Sequence, residues 1–441
     1  MAAVAALAAG LPVTAAVAAR SAPGGSWSGP RELLQPRDSA GSGYFGALSC
    51  ASRSDCTAVG IYADRSGGDR VFAITERHGA WGRALGIAIP AASKTINVAL
   101  PLLSCASAGN CTAGGDYDVR RQSVAFVVSE TNGTWGQPHQ VRSNPTDISC
   151  PAPGDCMAVL ARGYLLSQTH GIWGTAFPVP GLAALDHGRP VPAQVITCPS
   201  PGNCTTAGSY SASAAPFDRG FVATERHGTW GRAQPVTSRP ADALALTLLS
   251  CPSAGNCVAG GGIYPPAGSP GAFAVTESHG TWGTAQTLPG TSQPGAGGIS
   301  QLDCTAAGAC SAAGDFVVPH KPEDLAEPFV SVEKNGTWHT AQTVAGARPG
   351  SALDWLSCAA AGNCVLAGGI VFHGQIQAGS AAQVNGRWGP AGILDGIRAL
   401  DHGQPAQIEA VSCPARSGCT AVGSAGRLLA GLLFVTAQHP A

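Results

Sequence analysis

Two copies of the segment Ala-Leu-Asp-His-Gly, at residues 184–188 and 399–403, place a carboxylate next to an imidazole. Asp and His side chains can bind metal ions and polar groups of ligands. The two copies therefore predict a paired ligand site, built from Asp186, His187, Asp401 and His402. The alternative is a turn sequence that was kept when a block of four repeat units was duplicated.

A recurring set of aromatic residues is the second candidate for ligand binding. These residues fall near the end of the second predicted strand of each repeat unit: Tyr62, Tyr117, Tyr164, Tyr210, Tyr264 and Phe316, with Phe372 as a looser match. Aromatic rings combine apolar area with a polar edge or hydroxyl, which suits the faces of sugars. We therefore predict ligand contacts by Tyr62, Tyr117, Tyr210 and Tyr264; the alternative is packing between repeat units.

Other polar residues recur with the repeat and are interpreted as structural. His78, His227 and His279 stand where other units have Asn, which indicates turn residues. A glutamate precedes the same turn in five units and is predicted to be a solvated strand position: Glu76, Glu130, Glu225, Glu277 and Glu333. The sequence contains no Gly-x-Ser-x-Gly elbow, phosphate loop or His-Glu-x-x-His, so it assigns no catalytic residue, metal centre or cofactor.

All 16 cysteines belong to eight pairs, and the two members of each pair lie six positions apart. Zinc motifs usually separate paired thiols by two to four residues and often add His. The spacing and the absence of a recurrent His therefore favour disulfides over zinc, and with them an oxidising compartment. The predicted bridges join Cys50 to Cys56, Cys105 to Cys111, Cys150 to Cys156, Cys198 to Cys204, Cys251 to Cys257, Cys304 to Cys310, Cys358 to Cys364 and Cys413 to Cys419.

The cysteine pairs recur at a period of about fifty residues, which is typical of a repeat architecture. In the clearest unit, turn residues separate Cys251 from Cys257, and an alternating run, Phe273 to Glu277, follows a variable loop. A His-Gly or Asn-Gly turn and a Trp complete seven of the eight units. Such two-residue turns join antiparallel strands. Each unit therefore predicts four antiparallel strands, here called a to d, which form the blade of an all-β propeller.

The two ends of the chain predict how the ring closes. The unit that starts at Cys413 ends after its third strand, and it lacks a Trp. The N-terminal segment carries a Trp27 that matches strand d of the other units. The first strand is therefore expected to complete the last blade, giving eight blades and no free sheet edge. A seven-bladed ring with one extra unit and two smaller propellers are the alternatives.

An eightfold ring would place the two Ala-Leu-Asp-His-Gly copies on opposite sides of its axis. His187 and His402 each lie 14 residues after a Trp and 11 before a Cys, four units apart. Both belong to connections between strands d and a, which share one face of a propeller with the b–c loops. Those loops vary between units, and variable loops on a constant scaffold point to a functional face.

The motif Leu-Ser-Cys-Pro-Ser-x-Gly-Asn-Cys-x-Ala-x-Gly, followed by Gly-Thr-Trp-Gly, resembles uncharacterised secreted β-propeller repeat proteins of actinobacteria over residues 26–441. The Gly-Thr-Trp segment is also distantly similar to the Asp-box of sialidase-like propellers. The unit from Ser129 to Trp135 is one residue shorter than that box and has no Asp. The resemblance therefore implies the fold, and it does not carry sialidase activity over to this chain.

Composition and the N-terminus indicate an exported protein. Residues 1–25 read as a signal peptide and short linker, with a short anchor helix as the alternative. Residues 26–441 are expected to form a single propeller domain, monomeric and without a membrane span. A net charge of −1 with only 12% charged residues gives no basic surface for nucleic acid.

The sequence favours a secreted or cell-envelope binding protein over an enzyme, because it has candidate aromatic contacts but no recognisable acid/base pair. Carbohydrate and a cell-surface protein are the partners considered. A polysaccharide-acting hydrolase or lyase with an axial site and a structural surface protein are the alternatives.

Overall fold

The computed structural model describes residues 26–89, 98–119, 122–187, 189, 194–211, 219–239, 242–292, 296–318, 324–414, 418–426 and 431–438. The predicted signal peptide lies outside these ranges. Within them, no helix has the length and apolar character needed to cross a bilayer.

The chain forms an eight-bladed β-propeller of antiparallel blades, as the repeat predicted. Strands a, from blade 1 to blade 8, are Ser39–Ser52, Val98–Ser107, Pro145–Ala152, Gln194–Ser200, Ala243–Ser253, Ala296–Ala306, Ala352–Ala360 and Ala406–Ser412. Strands b are Asp55–Asp64, Asn110–Val119, Asp155–Leu160, Asn203–Tyr210, Asn256–Tyr264, Ala309–Val318, Asn363–Phe372 and Thr420–Ala425. Strands c are Asp69–Arg77, Gln122–Thr131, Tyr164–Thr169, Arg219–Arg226, Gly271–Ser278, Leu325–Lys334, Gln375–Val384 and Leu432–Ala437.

Strand d is split into two short pieces that both pair with strand c. The first pieces, which end in the Trp, are Ala80–Trp81, Thr134–Trp135, Ile172–Trp173, Thr229–Trp230, Thr281–Trp282, Thr337–Trp338 and Arg387–Trp388. The second pieces are Leu85–Gly86, His139–Gln140, Phe177–Pro178, Gln234–Pro235, Gln286–Thr287, Gln342–Thr343 and Gly392–Ile393. Two one-turn helices, α1 (Leu182–Leu185) and α2 (Ile397–Leu400), lie in the d–a connections after blades 3 and 7.

The N-terminal segment completes blade 8, as predicted. Trp27 bridges to Gln438, and the strand Arg31–Glu32 pairs antiparallel with strand c of that blade. The Trp27 indole N–H donates to Ser380 Oγ at 2.9 Å, and Leu33 is 4% exposed. The first and last residues of the ring are therefore held in one sheet, in which the N-terminal strand covers the edge of strand c.

The predicted disulfides are confirmed, and each one staples an a–b hairpin with a Cα–Cα separation between 3.9 and 4.1 Å. The second cysteine of each pair, at the start of strand b, is only 1% to 6% exposed. These cysteines are therefore buried structural residues: Cys56, Cys111, Cys156, Cys204, Cys257, Cys310, Cys364 and Cys419. Their bridge partners are Cys50, Cys105, Cys150, Cys198, Cys251, Cys304, Cys358 and Cys413, in the same order.

The turns that join strands c and d have positive φ at both residues, for example 50° at His279 and 80° at Gly280. These turns lie on the same face as the disulfides, because the Gly280 N–H donates to the Gly255 carbonyl at 2.7 Å. The Asn256 amide oxygen also accepts from the His279 N–H. The Asn of the Gly-Asn-Cys motif thus ties the two turns together.

The residue before the first cysteine of each pair links neighbouring blades. In six blades it is a Ser whose hydroxyl accepts the next blade's cysteine N–H at 3.0 to 3.1 Å: Ser49, Ser104, Ser149, Ser250, Ser357 and Ser412. Asp303 does the same through its carboxylate at 2.8 Å, and Thr197 donates to the Leu249 carbonyl instead. A continuous ring of hydrogen bonds therefore joins all eight blades around the axis.

The prediction that the recurrent glutamates are solvated was wrong. They are between 1% and 8% exposed: Glu76, Glu130, Glu225, Glu277 and Glu333. Burial raises the pKa of each of these carboxyls. Gln168, Gln383 and Gln438 are buried at the equivalent position of the other three blades. Both faces of a blade pack on its neighbours, so alternation along strand c does not mark a solvent-exposed side.

Candidate functional site

The Asp-His pairs of the two copies lie in turns directly after one-turn helices, and the structure does not bring them together. Leu182 of α1 packs in the core between blades 3 and 4, whereas Ile397 of α2 packs in the core between blades 7 and 8. His187 and His402 are exposed and have left-handed φ values of 54° and 52°. Each copy therefore lies on its own stretch of the variable face, and joint binding by both stays a prediction.

The aspartates of the two copies are buried in their turns. Asp186 is 5% exposed and Asp401 is 4% exposed. Asp401 Oδ1 accepts the Gly403 N–H at 2.7 Å, as Asp commonly does in turns. Asp401 Oδ2 is buried and has no hydrogen-bond partner among the residues that the structure describes. An unpartnered buried carboxylate oxygen costs stability.

Three of the four predicted tyrosines are core residues. Tyr62, Tyr117 and Tyr210 are 3% to 5% exposed, and each ring packs against a strand c Phe with centroids 5.7 to 6.4 Å apart. Phe316 also packs on a strand c Phe, stacking on Phe329 with ring centroids 4.4 Å apart. Tyr264 is 49% exposed and stays a candidate contact. Tyr164 begins strand c of blade 3 rather than ending strand b, so it was assigned to the wrong strand.

A groove on the variable face runs between blade 8 and blade 1, where the two ends of the propeller meet. This seam groove has a volume of about 550 Å³, within the usual size range of ligand sites. Its walls include Asp401, His402 and Gln404 on one side and three arginines on the other: Arg37, Arg65 and Arg83. Leu34, Leu400 and Leu432 supply apolar surface. Donors, acceptors and apolar area thus surround one concave space.

Hydrogen bonds between residues in and next to its walls fix the shape of the seam groove. The Arg83 guanidinium donates to the Gln35 carbonyl at 2.8 Å, and Gln35 Nε2 donates to the Gly431 carbonyl at 3.2 Å. The Tyr62 hydroxyl donates to Asp38 at 3.0 Å, and burial with this bond raises the pKa of Tyr62. Tyr62 is therefore a buried structural residue that holds Asp38 in position next to the groove.

Arg65 is placed by the b–c loop of blade 1. Hydrogen bonds from Ser66 and from the Gly68 N–H lower the pKa of Asp64. An ion pair of 2.8 Å between Asp64 and Arg70 closes the loop. Arg37 and Arg65 are exposed at the groove, and neither side chain has an intramolecular partner in the described ranges. Sequence reasoning missed these arginines, because they come from separate loops and follow no repeat.

A second groove lies on the other side of α2, between blades 7 and 8. This outer groove has a volume of about 530 Å³ and is lined by Trp27, Arg348, Phe372, Asp395 and Arg398, among others. The Arg398 guanidinium lies 5.9 Å from the centre of the Phe372 ring. Gly396 precedes α2 with a left-handed φ of 79°, a conformation that favours glycine.

A pair of carboxylates lies on strands b and a of blades 6 and 7. Burial, together with the nearby Asp354, raises the pKa of Asp315 to about 6. Asp315 Oδ1 is buried and has no partner among the described residues. A carboxyl whose pKa is raised toward neutral pH can act as a general acid. In the described ranges, no three His, Cys, Asp or Glu side chains are grouped closely enough to hold a metal ion.

No protein-family model matches the chain, and no curated protein matches it. Solved structures with a similar fold include Sqt1 of Chaetomium thermophilum, with a TM-score of 0.51, 10% identity, and coverage of 93% of this chain and 98% of Sqt1. The GH74 xyloglucanase of Xanthomonas campestris has a TM-score of 0.48 and 14% identity; the match covers 90% of this chain and 59% of the xyloglucanase. The microbial sialidase Hz136 has a TM-score of 0.35 and 9% identity, covering 89% and 65%. These identities show the fold alone, and kinship with the actinobacterial proteins stays a prediction.

Proposed function

We propose that the protein is a secreted, non-enzymatic binding propeller that holds carbohydrate in the seam groove. The observation that carries this proposal is a groove whose walls combine three arginines, the Asp401–His402 turn and three leucines. Sugar hydroxyls can donate to and accept from such polar groups. Apolar groups beside them suit the C–H faces of a sugar ring.

The scaffold supports binding at this place. Eight disulfides and a closed ring of hydrogen bonds hold the loops of the variable face on a rigid base, which lowers the entropy cost of binding. Paired cysteines on every blade suit an oxidising, extracellular location. Export through the N-terminal segment and a monomeric state are part of the same proposal.

The test is a glycan array probed with the wild-type protein and two matched double variants. Asp401→Asn with His402→Ala should abolish binding, because it changes the groove wall. Asp186→Asn with His187→Ala changes the other copy of the same turn, and binding should remain. Loss in both variants would instead favour the prediction that the two copies share one ligand. If the wild-type protein binds no glycan on the array, the result would favour a structural surface protein or a protein that binds another protein.

The Asp315–Asp354 pair favours one second candidate, a polysaccharide hydrolase or lyase. A screen for release of reducing sugar from polysaccharides addresses it. Product release that is lost in Asp315→Asn, while glycan binding is kept, would establish catalysis at this pair and overturn the non-enzymatic proposal. Absence of product across the screen, with glycan binding present, would support binding alone.

A further inference from the structure

Helix α2 separates the two grooves on the variable face. Ile397 is fully buried and anchors the helix in the core between blades 7 and 8. Arg398 lines the outer groove, and Asp401 and His402 line the seam groove. Residues three apart in a helical turn are neighbours. The grooves therefore adjoin, with one helical turn as the ridge between them.

Basic side chains predominate along both grooves. The seam groove holds Arg37, Arg65 and Arg83 against the carboxylates of Glu32 and Asp401. In the outer groove the arginines are Arg348 and Arg398, and Asp395 is the carboxylate. Five of the 25 basic residues of a chain with a net charge of −1 thus meet on this one stretch.

A comparison of the two helices singles out the basic residue on the ridge. Helix α1 has the sequence Leu-Ala-Ala-Leu and helix α2 has Ile-Arg-Ala-Leu, and both are followed by Asp-His-Gly. The buried anchor and the turn are common to both copies, but Ala183 stands where α2 has Arg398. Arg398 is exposed and is therefore not needed for the shared packing role of the helix.

We propose that the two grooves bind successive sugars of one acidic polysaccharide, whose carboxylates pair with the arginines on both sides of α2. This inference rests on the proposed carbohydrate-binding function and specifies its ligand class. Arg binds carboxylates with two parallel hydrogen bonds, which are stronger than neutral ones. Phe372 supplies an aromatic surface beside Arg398.

The experiment compares uronic-acid polysaccharides with the same polysaccharides after their carboxyl groups have been reduced to alcohols. Each pair shares a backbone and differs only in charge. For the acidic form that binds, we expect carboxyl reduction to weaken the affinity at least tenfold, and added salt to weaken it as well. Equal affinity for the acidic and reduced forms would overturn the inference while leaving the proposed function intact. Binding to neither form, with binding to a neutral glycan elsewhere on the array, would overturn it too.

Variants locate the charge pairing. Arg348→Ala with Arg398→Ala should lower the affinity for the acidic form about tenfold or more and leave the affinity for the reduced form unchanged. Arg348→Lys with Arg398→Lys should give an intermediate loss, since Lys keeps the charge but not the planar fork. Arg387→Ala is the matched control, because Arg387 is an exposed arginine in a c–d turn on the opposite face. An equal loss in Arg387→Ala, or none in the double Ala variant, would contradict the assignment.

Discussion

At the scale of single residues, the position before the first cysteine explains a motif that the sequence presents without a reason. The Ser of Leu-Ser-Cys accepts a backbone N–H from the next blade, so it holds neighbours together rather than serving chemistry. Asp303 stands at this position in blade 6 and accepts the Cys358 N–H. Burial raises the pKa of Asp303 to about 6. Ionisation of the buried Asp303 carboxyl therefore lowers the stability of the fold, whereas a neutral Ser at this position would not have that effect.

Asp303→Ser should make the protein less sensitive to pH. The folded pKa of about 6 lies above the ordinary value of 3.8, so the folded state binds the proton more tightly. The contribution of Asp303 is then fully present below about pH 4 and is lost as the pH rises through 6. Between pH 4.5 and pH 7.5, the free energy of unfolding measured in urea should fall less in the variant than in the wild type, by on the order of 1 kcal/mol. An unchanged difference between the two pH values would contradict this. Ser357→Ala, which removes a neutral link, is the control.

The glutamates show where residue-level reasoning from sequence failed. Their recurrence before an exposed turn and the alternation of strand c both favour a solvated position. In the folded ring the flanks of a blade are covered by other blades, and Arg226 of blade 4 reaches Glu277 of blade 5 at 3.6 Å. Contacts of this kind depend on the spacing of blades around the axis, which no single repeat contains.

At the scale of elements, the strands, turns and disulfides followed from the sequence because each is encoded within one repeat. The Asn-Gly and His-Gly turns need positive φ at two consecutive residues, and that local demand is visible in the chain. The burial of the aromatic residues at the ends of strands b was harder to predict, because it depends on contacts with Phe side chains on strands c. Gly60 shows how closely strand b approaches the strand c Phe, because a Cβ atom there would clash with the Phe72 ring and the Tyr44 carbonyl.

Replacing Cys251 and Cys257 together by Ser should lower the free energy of unfolding by about 2 kcal/mol, as expected for a short closed loop. The hairpin should still form, since the Asn256 amide keeps its bond to the His279 N–H. Urea unfolding measures the loss, and peptide mapping without reductant checks that the other seven bridges stay local. A bridge between different blades in the wild-type map would contradict the assigned pairing.

At the scale of the whole molecule, the ring was predictable because the eighth unit lacks the one strand that the N-terminus supplies. The grooves were not predictable, because their arginines come from loops that share no pattern. The seam groove exists only where residues 32–37 meet the turn after α2. Ring closure and the proposed binding site therefore depend on the same segment.

A chain that begins at Asp38 should be much less stable than one that begins at Ser26. It loses Trp27, the buried Leu33 and the strand Arg31–Glu32, and it exposes the edge of strand c in blade 8. The burial of Leu33 and the partial burial of Trp27 alone predict a loss of about 3 kcal/mol. Urea unfolding and size-exclusion chromatography measure stability and association. Equal unfolding midpoints with an unchanged monomer would show that the N-terminal strand does not close the ring.

Amide hydrogen exchange, measured with and without the polysaccharide selected on the array, tests the central claim most directly. If the ligand binds in the seam groove, amide exchange should become slower on binding in three segments: 32–37, 63–68 and 395–404. The equivalent turn after α1, including Asp186 and His187, should exchange at the same rate in both states. Protection of that turn as well, or protection confined to the disulfide-bearing face, would contradict a ligand site at the junction of blades 8 and 1.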